Sequence, residues 1–129
     1  WKREPELMHD APSQKEMIAA VKAFIDDTAM PNLKGHAAFH ARVASNVLAT
    51  VLRELEIRPL AENDERERLS SLLNADQNMT ISELNLKLCE LLRQGELGLD
   101  TPGLLEHLKT TTIAQLSIDQ PNYSGLPSD

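Results

Sequence analysis

The sequence predicts an all-α fold: a compact bundle of about five helices with a long central second helix. Three observations lead there. Apolar residues recur at helical spacing along most of the chain, no segment alternates with the period of two that marks a strand, and helix-start signatures stand ahead of the apolar runs. With 129 residues, 41% of them hydrophobic, the chain suits one domain with a proper core. That domain is expected over residues 13–118, between a polar N-terminal tail (1–12) and an extended C-terminal tail (119–129).

The elements follow in order. Ser13-Gln14-Lys15-Glu16 is a capping box, in which a hydroxyl and a carboxylate satisfy orphan amides. The helix it opens is expected to reach about Ala29, burying Met17, Ile18, Val21, Phe24, Ile25 and Thr28, before Pro31 ends it. A second helix should run from about Gly35 to Ile57 and stop ahead of Pro59, because a residue before proline avoids the helical region. Phe39, Val43, Val47, Val51 and Leu55 form a broad apolar band on it. Ala38, Ala41, Ser45 and Ala49 form a second stripe of small residues, which would let another helix approach closely. A helix apolar or small around most of its circumference is expected in the middle of a bundle.

A third helix is predicted over Leu60–Asn74, with the charge cluster Glu62–Arg68 as its solvated face. Thr80-Ile81-Ser82-Glu83 opens a fourth, to about Gln94, with Ile81, Leu84, Leu88, Leu91 and Leu92 inside and Cys89 as a buried or half-buried small hydrophobe. Asp100-Thr101-Pro102 combines a capping side chain with proline in the first turn. It should start a fifth helix, to about Ser117, that buries Leu105, Leu108, Thr112 and Leu116.

Composition excludes several functions. The net charge is −7 and there are four aromatic side chains, Trp1, Phe24, Phe39 and Tyr123. Nucleic-acid binding needs a cationic surface and stacking platforms, so no nucleic-acid partner is expected. No apolar run approaches the ~20 residues of a membrane span, and no secretory leader is visible. A single cysteine forms no internal disulfide. The expectation is a cytoplasmic protein with no membrane partner.

Chemistry has few places to sit. His36 and His40, four apart, could meet one metal ion, but such a pair needs a further ligand. His9 and His107 are the other histidines and have no fixed place in the sequence pattern. His40 reads better as a hydrogen-bond donor inside the bundle, and neither a metal nor a cofactor is expected. Arg42, Asn46 and Arg53 share one side of the second helix, where a guanidinium and an amide could hold a carboxylate or phosphate. His36, His40, Arg42 and Asn46 are therefore the candidate ligand-binding residues. No catalytic residue is assigned, because no nucleophile lies in a strand–turn–helix context and Leu97–Gly103 lacks the lysine and spacing of a phosphate loop.

Three segments are distinctive together: Ala38–Ala44 with Asn46 and Arg53-Glu54-Leu55, then Leu99–Leu105, then Ile118–Tyr123. From about Met8 onward the chain resembles a bacterial family of small helical proteins catalogued as a domain of unknown function. Members often begin at a methionine placed like Met8, so Trp1–Leu7 is expected to be an upstream extension. The resemblance implies a gene neighbourhood with aminoglycoside-phosphotransferase-like kinases and acyl-CoA dehydrogenases. With no catalytic constellation in the sequence, that neighbourhood leads to the expectation of a non-enzymatic accessory protein that docks on one of those enzymes, as a homodimer. The competing expectation is a small-ligand or metal-binding domain with a polar pocket on the second helix.

Overall fold

The computed structural model describes residues 11–128. They form four α-helices: α1 (Gln14–Phe24), α2 (Gly35–Leu73), α3 (Ile81–Arg93) and α4 (Leu104–Asp119). A π-helical turn, Ile25–Ala29, and a 3-10 turn, Met30–Asn32, connect α1 to α2, and no strand occurs among the described residues. All but Ala11 and Pro12 of the expected N-terminal tail lies outside the described residues. Two compact units are present, one ending at Leu55 and one beginning at Glu56.

There are four helices among the described residues and not the expected five, because the break at Pro59 does not occur. α2 runs through Pro59 for 39 residues and absorbs the predicted third helix. Proline in a helix interior removes the N–H that would bond the carbonyl four residues back, at a cost of about 3 kcal/mol. Here that carbonyl belongs to Leu55, and both Leu55 and Pro59 are exposed residues. The helix-forming run Glu62–Arg68 continues the rod beyond it. The missing hydrogen bond coincides with the boundary between the two units.

In the first unit, Ser13 caps α1 as its sequence requires. Its Oγ accepts from the Glu16 amide at 3.1 Å, and the Glu16 carboxylate accepts from the Ser13 amide at 3.4 Å. The helix gives way to the π turn after Phe24, earlier than the expected end at Ala29, and Pro31 sits in the 3-10 turn that follows. Asp26, on the π turn, accepts from the buried Ser45 hydroxyl of α2 and from Lys22 Nζ at 2.6 Å. Ala38, Ala41 and Ala49 on the Ser45 side of α2 are half-buried. The small stripe therefore faces the arm that carries Asp26, as its close-packing character predicts.

The broad band of α2 does not behave as expected. Phe39 is 58% exposed and Val47 55%, with Val43, Val51 and Leu55 also exposed. α1 turns Met17, Val21 and Phe24 outward too. Ser45 is the one buried residue among residues 11–55, and it is polar. The prediction of a helix enclosed on most of its circumference is corrected: only the small-residue side of residues 35–55 is covered.

The second unit holds the apolar core. Leu69 and Leu73 from α2, Leu84 and Leu88 from α3 and Leu104 from α4 form one buried cluster, with Leu72, Ala75, Met79, Leu91 and Leu97 packed against it. Ile118 is also fully buried. Asn74, at φ 49°, closes α2 by letting the Ala75 amide reach back to the Ser70 carbonyl at 3.0 Å. Gly95 does the same for α3, with Glu96 bonding to Leu91 at 3.0 Å. Thr80 caps α3 by accepting from the Glu83 amide at 3.2 Å. Cys89 is exposed on α3, against expectation.

α4 begins at Leu104, later than the Asp100 signal indicates. Thr101 uses its hydroxyl to accept from the Gly98 amide at 2.9 Å, which commits Asp100–Gly103 to a turn. The late start changes which residues point inward. Leu104, His107 and Ile118 are buried, whereas Leu105, Leu108 and Thr112 face solvent. His107 is 4% exposed, and its Nδ1 and the Nε of Arg68 are buried without a hydrogen-bond partner. Burial foremost, and the Arg68 charge next, push the His107 imidazole below its usual value, against the pull of Glu65.

Two outcomes follow for the second unit. Leu69→Ala should lower the unfolding free energy by about 2–5 kcal/mol in denaturant melts, because a fully buried leucine leaves a cavity. His107 is held neutral in the fold while the unfolded chain takes up a proton near the ordinary histidine value of 6.5. Stability should therefore be full above that value and fall as the pH drops below it. In His107→Gln the same pH series should be flatter.

Candidate functional site

The four residues singled out from sequence all lie on the first three turns or so of α2, and all four are exposed. They do not converge. A helix advances by 100° per residue, which places Arg42 about 160° around the rod from His40. His36 and His40 share the outward side, where the His40 ring meets Phe39 edge-on at 5.7 Å between centroids. Arg42 and Asn46 share the adjoining flank with Arg53. There Arg53 Nη2 donates to Thr50 Oγ1 at 3.1 Å, and that hydroxyl donates to the Asn46 carbonyl at 3.2 Å. Among the described residues no three His, Cys, Asp or Glu side chains are grouped to hold a metal ion.

The polar contact that does tie the first unit together was not among those candidates. Lys22, Asp26 and Ser45 form a satisfied triad, and the Lys22 hydrogen bond foremost, with the Ser45 hydroxyl second, holds the Asp26 carboxyl below the usual range. In the second unit, Glu67, Arg68, Ser71, Gly103, Glu106 and His107 border an open cleft of about 580 Å³. Sequence reasoning named His107 without placing it. Its spacing of three from Leu104 is the signal that would have done so, once the helix start is moved past Pro102. Two glutamates and Arg68 border the cleft, so its rim carries both signs of charge.

α2 carries a series of exposed apolar side chains in the first unit. Phe39, Val43, Val47, Val51 and Leu55, spaced by four and all exposed, form a ridge that winds about 160° around the helix over residues 39–55. A second group of exposed leucines lies within ten residues of chain in the other unit: Leu99 at 80%, Leu105 at 55% and Leu108 at 41%.

No curated protein and no solved structure matches this chain. A family model matches residues 31–123, from the 3-10 turn through α2, α3 and α4 to Tyr123, and so takes in both the α2 ridge and the leucines of α4. The chain belongs to the family described as a domain of unknown function (DUF6285).

Proposed function

We propose that this chain is a non-enzymatic accessory protein that works by docking to an enzyme. The observation that carries the reading is the balance of apolar side chains: 16 large ones are exposed among the described residues, against six buried. Scattered exposed leucines are ordinary on a monomer; ridges and clusters of them mark interaction surfaces. Leu99, Leu105 and Leu108 form such a cluster at the start of α4, with the exposed Tyr123 following that helix. Leu105 and Leu108, held on the first turns of α4, supply apolar area at low entropic cost.

The partner class comes from the family resemblance, which implies a phosphotransferase-like kinase or an acyl-CoA dehydrogenase. Docking on either asks only for a complementary apolar patch. The acidic balance of the chain, net −7, adds steering toward a basic rim on the enzyme.

Purification of the full chain from its native host at several salt concentrations, with mass spectrometry of what accompanies it, tests this. An enzyme of one of the two classes should co-purify with the wild type. Leu108→Glu should reduce its recovery by about tenfold while far-ultraviolet circular dichroism stays unchanged. Recovery of neither class, or equal recovery with the variant, would count against the proposal.

A further inference from the structure

We infer that the cleft between α2 and α4 binds a zwitterionic ligand, an amino acid with an apolar side chain. Its carboxylate meets Arg68, His107 and the first turn of α4, and its ammonium meets Glu67 and Glu106. At about 100° per residue, Glu106 and His107 project roughly 180° away from Leu105 and Leu108. The cleft is thus distinct from the leucines assigned to enzyme docking, and either assignment can fail alone.

The first observation is a pair of orphaned nitrogens. His107 is 4% exposed and lines the cleft, yet its Nδ1 has no hydrogen-bond partner. Arg68 lines the same cleft from α2; its Nη2 donates to Thr111 Oγ1 at 3.2 Å, while its Nε is buried and unpaired. Buried polar groups are nearly always satisfied, so two orphans on the walls of one cleft mark a place for an acceptor. A neutral imidazole holds one N–H, and with that proton on Nδ1 both nitrogens are donors. A carboxylate, with two oxygens, answers both. The Arg68 side chain is half-buried and rotatable, so Nε can turn toward an oxygen in the cleft.

The start of α4 points the same way. Gly103 stands at the N-cap and offers no side chain to the first turn. The Leu104 and His107 amides bond to the Thr101 and Gly103 carbonyls at 3.2 and 3.0 Å, but the two amides between them, of Leu105 and Glu106, have no acceptor among the described residues. Free amides at the positive end of a helix favour a carboxylate.

The rim then limits the charge. Glu67 and Glu106, both exposed, border the cleft and repel a phosphate or a plain carboxylate. An ammonium on the same ligand turns these two charges into partners. A cation alone is opposed by Arg68. A ligand carrying both signs meets each group with its opposite. Leu72 adds an apolar wall beside Gly103, where a Cβ would stand 3.7 Å from Leu72 Cδ1 and cover it. An aliphatic side chain fits against that wall, and about 580 Å³ is room enough for an amino acid.

Titration of the isotope-labelled full-length chain with free leucine, followed by NMR, tests the site. The Arg68 Nε–H and the Leu105 and Glu106 amides should shift and saturate, with a dissociation constant of about 1 mM or below. Isocaproate, which lacks the ammonium, and isoamylamine, which lacks the carboxylate, should each bind at least about tenfold more weakly. The double variant Glu67→Gln with Glu106→Gln, at two exposed positions, should weaken free leucine about tenfold and abolish its advantage over isocaproate. Arg68→Lys keeps the charge and removes the Nε–H, and should also weaken it about tenfold. Leu108→Glu should bind as the wild type does. No saturable shift at about 20 mM free leucine, or isocaproate bound as tightly, would overturn the inference. So would unchanged affinity in the glutamine pair or in Arg68→Lys. Should Arg68→Lys fail to fold by circular dichroism, the glutamine pair decides. If free leucine binds and no enzyme co-purifies, the site stands and the docking falls.

Discussion

The size of the side chains on the inner side of α2 governs the first unit. Ala38, Ala41, Ser45 and Ala49 let the arm carrying Asp26 come close, close enough for the Ser45 hydroxyl to reach the Asp26 carboxylate. Close approach of this kind buries little apolar area, because alanine and serine have little to bury. The bulky residues of the same helix, Phe39 through Leu55, are left for the other side. One geometric choice thus gives the unit a polar clasp at its centre and an apolar exterior.

The second unit resolves the same problem in the opposite way. Leucines from three helices meet each other directly, and polar groups are placed around them in pairs such as Arg58 with Gln115 and Arg68 with Thr111. The exception is the His107–Arg68 neighbourhood, where two buried nitrogens lack partners. A buried imidazole kept neutral is a cost the leucine cluster can carry. Among the described residues of the first unit, 11–55, no apolar side chain is buried and the one buried residue, Ser45, is polar.

Much of this was legible in the sequence. The capping residues Ser13 and Thr80 are where their side-chain chemistry puts them, because that chemistry is local. The small stripe of α2 was recognisable as a close-packing surface, and Leu84 and Leu88 as core. What sequence could not rank were competing local signals. Pro59 says stop, yet the strongly helical residues after it let α2 continue, with Leu55 and Pro59 both at exposed positions. Asp100-Thr101-Pro102 says start, yet Thr101 is drawn into a turn with Gly98, and the delay rotates Leu105 and Leu108 outward and His107 inward. The candidate site failed to assemble for a related reason: residues four apart share a face, but His40 and Arg42 are two apart and look in nearly opposite directions.

Pro59 also bears on how the rod comes apart. A helix usually frays from its ends one hydrogen bond at a time, and α2 has a bond already missing in its interior. Disorder beginning near Gly35 can spread to that gap without disturbing the leucines beyond it, while the turns after Glu62 stay pinned by α3 and α4. A single continuous helix is in this way divided into two lengths with separate lifetimes, and the proline acts as a firebreak between them.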